Sequence, residues 1–389
     1  MNGMAERRQV TVDDLLFELR QNRTHAFPVT RSWRYFDHAS FGPLPAVAVE
    51  AASRALSAMS GPGTGGTGAR ELMEAVRAEA ATLLKSRPEN IALLTSTSDA
   101  ISLVAAGLDW RFGDEVVVGS HEFPSALAPW LPLRSHGVDV VAPSVGAGGI
   151  HVEDVEQAMT GRTRVVCLSM VDFATGRVAP VAELADLCRR RGAWLVVDAV
   201  QAVGAMPVDV SRLGADIVAA HGYKFLMGGF GVALVHCSDR AVAELRPHRL
   251  GWKNAYAAHS VRWVAEEVPP PESSARRFEP SLLAPPTLAA LHASLCLLNR
   301  WSDAAFQTVS ETVHRLATEL RHAGYRLECE KPAGPIVSTT HDRLSSEEVC
   351  ASLASAGIVT SVRRGRLRLS PHFYNLAEDV DELIRHLPR

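Results

Sequence analysis

At 389 residues the chain is too long for one hydrophobic core and long enough for two or three domains. Its 47% hydrophobic and 21% charged residues are those of an ordinary globular protein. Forty basic against 43 acidic side chains leave a net charge of −3, which argues against a nucleic-acid binder and its basic surface.

In chain order, RYFDHASFGPLP (34–45) leads into a helical stretch, AVAVEAASRALSAM (46–59). Seven short apolar runs follow, at 91–96, 115–120, 138–143, 163–171, 193–200, 216–221 and 231–237. Helical periods such as DAISLVAAGLDW (99–110) and VAELADLCRRRG (181–192) lie between several of them. Continuous apolar strands separated by helices predict an α/β fold with a mostly parallel, seven-stranded sheet covered on both faces. The proline-rich EEVPPPESSARR (266–277) then breaks the pattern as an interdomain link. A long helical region near 286–323 and the ending RLRLS with EDVDELIRHL predict a smaller α+β domain. The expected organisation is an N-terminal segment (1–29) packing with the small domain, a large domain (30–265), and a linker with the small domain (266–389).

The charged start, MNGMAERRQVTVDDLL, lacks the apolar core of a secretory signal, and no apolar run approaches the roughly 20 residues of a membrane span. Six cysteines without CxxC spacing read as reduced thiols of a cytoplasmic protein. No HExxH occurs, and the fifteen histidines offer no defensible ligand-spaced pair, so no metal is expected. Gly63 to Gly68 matches GxGxxG letter for letter, but the dinucleotide fingerprint needs a strand before it and here a helix precedes. That stretch is predicted to be a loop at an active-site mouth. A P-loop motif is absent.

Only four basic residues are lysines, namely Lys85, Lys224, Lys253 and Lys331; arginine supplies the other 36. Lys85 sits in a polar turn, Lys253 beside Trp252, and Lys331 in a Glu-Lys-Pro loop. Lys224 alone follows an apolar strand, in AAHGYKFLMGGFG, where glycines permit a tight turn. A lysine desolvated at a strand end has a depressed pKa and can form a Schiff base. Upstream, LVVDAVQ ends an apolar strand on Asp198, a carboxylate that is costly there without a cation or donor. Alone, Asp198 is more simply a helix N-cap. With Gln201 and Lys224 it suggests pyridoxal phosphate (PLP), whose protonated ring nitrogen pairs with a carboxylate.

At this point the chain resembles the fold-type I PLP enzymes of the class V aminotransferase family, which includes cysteine desulfurases, selenocysteine lyases and isopenicillin N epimerase-like proteins. The block from VDFATGRVAP to HGYKFLMGGFG is the specific part, and the likeness runs from 34 to 383. It implies that Lys224 forms the imine with the cofactor and moves the α-proton. Asp198 matches the partner of the pyridine nitrogen, and Gln201 the residue on the phenolic oxygen. Thr97 and Ser98, preceding a helix, match the phosphate site, which is compatible with simple N-capping. His221 resembles a further phosphate donor, and Phe123 the residue stacked on the pyridine ring. Arg368 matches the arginine that grips the substrate α-carboxylate, whereas Arg363, Arg364 and Arg366 read equally as solvated strand residues. His38, Ala39 and Ser40 resemble the segment lining the substrate pocket. The family also implies a homodimer, no nucleic acid and no membrane.

Several positions depart from the family. The stretch GIVTSVRRGRLRLS is short and lacks the desulfurase nucleophilic cysteine; Cys350 lies upstream in a helical pattern. Phe173 stands where many members carry an asparagine, so the substrate contact there is altered. Tyr223 replaces a histidine before the lysine and reads as a proton donor or a packing residue. In RRFEPSLL, Ser281 aligns with the neighbouring-subunit phosphate contact, but Leu282 cannot donate. The expectation is a PLP-dependent lyase performing β-elimination at the C–S bond of a cysteine conjugate, with the lincosamide-antibiotic enzymes of secondary metabolism as a concrete parallel. Alternatives are a decarboxylation-coupled oxidative deaminase, an epimerase of the isopenicillin N type, and an aminotransferase; a non-enzymatic scaffold is disfavoured because Lys224, Asp198 and Arg368 are all present.

Overall fold

The computed structural model describes residues 10–61, 68–143, 149–255 and 272–388. The chain opens with helix α1 (Val12–Ala26), strand β1 (Arg34–Tyr35) and helices α2 (Ala46–Met59) and α3 (Ala69–Leu84). It then builds a central sheet from β2 (Ile91–Leu94), β3 (Glu115–Val118), β4 (Asp139–Val141), β5 (Thr163–Ser169), β6 (Trp194–Asp198), β7 (Ile217–His221) and β8 (Ala233–Cys237). The strand order is β2-β8-β7-β6-β5-β3-β4. Only β8 runs antiparallel to its neighbours. All seven apolar runs are strands of this one sheet.

The reason is burial on both faces. Val116, Val118, Val165, Cys167, Trp194 and Val196 point into one core, while Val117, Val166, Leu168, Leu195 and Val197 point into the other. Alternation along a strand therefore changes the face without changing the environment, so each run reads as continuously apolar. Each such side chain stabilises the fold by about 1.5–3 kcal/mol relative to exposure.

A second, antiparallel sheet has the order β12-β13-β10-β9, from β9 (Arg326–Leu327), β10 (Val337–Thr340), β12 (Ser361–Arg363) and β13 (Arg366–Leu369). Helices Ser346–Ser355 and Ala377–His386 accompany it. The N-terminal segment docks here: β1 pairs in parallel with β11 (Ile358–Val359), Arg23 bonds Asp379 at 2.5 Å, and Phe27 stacks on Tyr374 at 4.2 Å. The helix Pro285–His322, about 57 Å long, packs against α2, α3 and Ala377–His386 and so spans both sheets' surroundings.

Lys253 has a structural use. Glu279 is fully buried and accepts from Arg77 at 2.8 and 3.1 Å, from Lys253 Nζ at 2.5 Å and from the Leu93 backbone N–H at 2.8 Å. This tie fixes α3 to the edge strand β2. Lys85 is exposed at the left-handed C-cap of α3, and Lys331 is exposed as well. Residues 63–67 of the GxGxxG stretch, residues 266–271 of the proline-rich link and the expected boundary at 265/266 lie outside the described residues. Among the described residues no helix is long and apolar enough to cross a membrane.

Candidate active site

The C-terminal ends of β2, β3, β5, β6 and β7 lead into the chemically versatile loops, which is where ligands sit in open α/β sheets. After β7 the chain turns through Gly222 and Tyr223 to Lys224, which is 5% exposed. Close backbone approach builds this turn. Gly42 N–H donates to Tyr223 O at 2.8 Å, and a Cβ on Gly42 would lie 1.9 Å from Lys224 O. Met227 N–H donates back to Lys224 O at 2.8 Å, and Met227 itself is held at φ +50°.

Burial lowers the Lys224 pKa to about 8. The Asp198 carboxylate opposes that shift, while Arg368 and Arg363 add to it. Lys224 Nζ lies 5.5 Å from the ring centroids of both Phe123 and Tyr223. Asp198 ends β6, is 2% exposed and accepts from Val200 N–H at 3.0 Å. Burial raises its pKa, and Val200 and Lys224 pull it down.

Gln201 donates from Nε2 to Ala39 O at 3.1 Å. His221, which ends β7, is bonded to the Thr95 backbone, and burial with Lys224 nearby lowers its pKa to about 4. Its imidazole is therefore neutral at neutral pH. Thr97 and Ser98 do not precede α4 (Thr97–Gly107) but form its first turn. Ser96 is the N-cap, its hydroxyl accepting from Asp99 N–H at 3.1 Å. The helix thus starts two residues earlier than its apolar period suggests.

Among the described residues, six buried side-chain N or O atoms lack a hydrogen-bond partner, and three of them are Thr97 Oγ1, Gln201 Oε1 and His221 Nδ1. Unpartnered buried polar atoms are costly. Their concentration around Lys224 and Asp198 marks a place shaped for a polar ligand. A phosphate at the α4 N-terminus, a phenolic O–H donating to Gln201 Oε1, an aldehyde at Lys224 and a basic ring nitrogen at Asp198 match pyridoxal phosphate group by group.

Phe123 is 39% exposed and meets Phe173 edge to face at 5.3 Å. Tyr223 is half-buried and stacks on Phe230 at 4.5 Å; burial, then Asp198, raises its pKa, so the phenol keeps its proton. Arg368 is 1% exposed. It donates to Asp37 at 3.0 Å, Ser40 Oγ at 2.5 Å, Phe173 O at 2.7 Å and Ser361 Oγ at 3.2 Å.

Three expectations need correction. His38 is not a pocket-lining side chain: it is fully buried, with Nδ1 2.9 Å from Ser370 O and Nε2 2.7 Å from the Tyr374 hydroxyl, so both ring nitrogens serve packing. Ala39 is 1% exposed and contributes its backbone oxygen to Gln201, not its side chain. Arg363 is not a solvated strand residue: it is half-buried and donates to Ser40 Oγ at 2.8 Å, the same oxygen that Arg368 uses. Ser281 is exposed and stands outside the set that one chain brings together.

Sequence reasoning also passed over Asp37 and Glu122. Glu122 folds back so that its Oε1 accepts from Ser169 N–H at 2.9 Å, and its other oxygen from the Ser169 hydroxyl. A Cβ at Gly119 would lie 2.5 Å from Glu122 Oε1, so that glycine makes room for the fold-back. Ser169 pairs in register with Asp198.

The aminotransferase class-V family profile matches residues 34–383. A probable cysteine desulfurase of Methanothermobacter thermautotrophicus is 28% identical, over 95% of this chain and 97% of its own. The isopenicillin N epimerase of Streptomyces clavuligerus is 25% identical, over 80% of this chain and 83% of its own. Among solved structures, the cystine C–S lyase C-DES in complex with cysteine persulfide superposes with a TM-score of 0.85 at 25% identity, covering 92% of this chain and 98% of that one. A mutant of C-DES carrying glycine linked to its PLP cofactor superposes equally well, at 0.85. With its sheet order, its desolvated lysine and this likeness across nearly its whole length, the chain belongs to the aminotransferase class-V family and is a fold-type I, PLP-dependent enzyme.

Proposed function

We propose that the chain is a C–S lyase that breaks the Cβ–S bond of a cysteine S-conjugate, releasing a thiol and an aminoacrylate that water then hydrolyses to pyruvate and ammonia. One observation carries this reading. The hairpin β12–β13 closes through Arg364 and Gly365 alone, at φ +50° and +71°, with no length for a loop bearing a nucleophilic cysteine. Cys350 lies on the helix Ser346–Ser355 with its thiol toward Thr360 O, and Cys167, Cys188 and Cys237 are buried. β-Elimination needs a base and a leaving group, and no protein thiol.

When bound, pyridoxal phosphate supplies the electron sink that makes the substrate Cα–H acidic. Lys224 then takes that proton, since an amine with a pKa of about 8 is partly neutral at working pH. Asp198 holds a proton on the pyridine nitrogen. Thr97, Ser98 and His221 would hold the phosphate, Gln201 would bond the phenolic hydroxyl, and Phe123, beside Lys224 Nζ, would pack against the cofactor. Arg368, with Arg363, binds the α-carboxylate. Tyr223 forms the wall beside Lys224 and keeps a proton within reach of a departing sulfur.

A cavity of 360 Å³ lies beyond the Phe123–Phe173 pair, lined in part by His121, Glu122, Asp172, Arg177, Arg364 and Arg366. It suits a bulky polar substituent on sulfur, as in secondary metabolites and antibiotic biosynthesis. The exposed Leu56, Met59, Phe230, Leu250 and Trp252 support a homodimer in which Ser281 serves the neighbour's phosphate site. Six unpaired thiols fit a reducing cytoplasm.

The test is incubation of purified holoenzyme with a series of S-substituted cysteines while thiol and pyruvate are assayed. Release of both supports the lyase; neither, across the series, overturns it. The likeness to the epimerase supports one second reading, racemisation at Cα, which predicts exchange of the α-hydrogen in deuterium oxide without pyruvate.

A further inference from the structure

We propose that Glu79, His292 and Cys296 form a zinc-class metal site that ties α3 to the helix Pro285–His322. His292 and Cys296 are four residues apart and so share one helix face. Glu79 reaches them from α3, the helix packed against that face. The candidate donor atoms of all three lie within 4.8 Å of one another. Cys296 Sγ is 3.6 Å from His292 Nε2. A thiolate at about 2.3 Å and an imidazole nitrogen at about 2.05 Å from a tetrahedral Zn²⁺ stand about 3.6 Å apart, so this pair already has the required bite.

The rest of the surroundings suits an ion. Thiolate, imidazole and one carboxylate form a mixed soft and borderline donor set of the zinc type. Asn299 donates from Nδ2 to Glu79 Oε2 at 2.7 Å and to Glu79 O at 2.9 Å, which orients the carboxylate from behind. All three side chains are half-buried, and a tetrahedral ion held by three protein ligands would take water as its fourth. On binding, the Cys296 S–H bond breaks, its proton goes to solvent and the sulfur lone pair bonds the metal. Charge is then balanced by one thiolate and one carboxylate. The sequence hides the site because Glu79 comes from a different helix far upstream.

The position gives it a consequence. One turn of the same helix packs under the lysine loop: Ser294 donates to Met227 O at 2.8 Å, and Leu291 sits where a Cβ on Gly228 would be. Metal at His292 and Cys296 would therefore stiffen the support of the Lys224 turn.

The experiment uses untagged, full-length holoenzyme stripped with a chelator and titrated with Co²⁺ as a spectroscopic stand-in for zinc. One Co²⁺ per chain is expected, with the visible d–d absorption of a four-coordinate site, one proton released per ion, and displacement by an equivalent of Zn²⁺. Cys296→Ser and His292→Ala should weaken binding at least tenfold, and Asn299→Ala about tenfold with an unchanged spectrum. Cys329→Ser should change nothing. In the wild-type chain, where no variant has to fold, zinc should slow alkylation of Cys296 as read by peptide mass spectrometry. No stoichiometric Co²⁺, or Co²⁺ binding unchanged in both ligand variants, overturns the proposal, as does alkylation of Cys296 that ignores zinc.

Discussion

Replacing Glu122 with glutamine should remove a defined pH dependence of stability. The Glu122 carboxyl is buried against the end of β5, and its pKa rises from an ordinary 4.5 to about 7. Burial is the largest cause; Ser169 opposes it with two hydrogen bonds, and Asp198 and Asp172 add to it. The folded chain therefore holds this proton more tightly than the unfolded chain does. Below about pH 4.5 both states are protonated and the residue is neutral to stability. Between 4.5 and about 7 only the folded state keeps the proton, so stability falls as pH rises, by up to about 1.4 kcal/mol per pH unit. The whole span corresponds to roughly 3 kcal/mol, on an order-of-magnitude scale. Glutamine cannot ionise, yet its amide oxygen can still accept from Ser169 N–H. Denaturant unfolding of both proteins from about pH 5 to about pH 8 checks this. The two stability curves should nearly meet at the acid end and separate with rising pH, with the glutamine variant more stable by a few kcal/mol at the alkaline end. Parallel curves over that window would refute the reasoning.

Lys224 with a pKa of about 8 should have about a tenth of its amine neutral at pH 7, against fewer than one in a thousand for an ordinary lysine. The rate at which added pyridoxal phosphate binds covalently to the cofactor-free enzyme should then rise about tenfold per pH unit and level off above 8, and Lys224→Ala should lose the visible band of the bound cofactor. Gly42→Ala places a methyl 1.9 Å from Lys224 O and should cost about 1–3 kcal/mol while shifting or abolishing that band. Arg363→Ala should raise KM for the amino acid about 10–100-fold with little change in kcat, whereas Ser40→Ala should leave KM equal or lower; an unchanged KM in the arginine variant would remove Arg363 from the substrate site.

The central sheet was legible because its strands are covered on both faces, which prints Val116–Val118 and Trp194–Val197 as unbroken apolar runs. Lys224 was legible for another reason: it alone of the four lysines follows an apolar strand, whereas Lys253 sits in the short helix Trp252–Ala255 and pairs with Glu279. The small sheet was harder to read. Its strand β9 holds only two residues, and beside it the separate two-stranded pairing of β1 with β11, Arg34 opposite Ile358, has no local periodicity. His38 shows the limit most plainly. Its neighbours Ala39 and Ser40 meet Gln201 and Arg368, but His38 opens a turn in which the Ser40 and Phe41 N–H groups both donate to Asp37 O, and its ring enters the packing around Tyr374 and His372 with no strand or helix period to announce it. Glu122 was invisible because a loop glutamate is ordinarily solvated; only Gly119, three residues before it, signals that the chain folds back.

The surroundings of Arg368 refine what an arginine at that position can do. A guanidinium has five N–H donors, and four hydrogen bonds already reach Asp37, Ser40, Phe173 O and Ser361. A bidentate grip on a substrate carboxylate therefore cannot simply be added to this arrangement; one present acceptor has to leave. Asp37 is an ion-pair partner and Phe173 O is fixed by the backbone, so neither yields easily. The Ser40 hydroxyl is different: it is a neutral acceptor shared by two guanidinium groups, Arg368 and Arg363. A carboxylate oxygen is a stronger acceptor for both, because charge-assisted bonds are roughly twice as strong as neutral ones. Displacement of Ser40 Oγ would leave one carboxylate bridging two arginines whose combined charge Asp37 only half cancels. If Arg368 and Arg363 hold the substrate as proposed, the serine is the acceptor both guanidinium groups use until the carboxylate arrives, and selection would rest on the difference between a hydroxyl and a carboxylate at that one point.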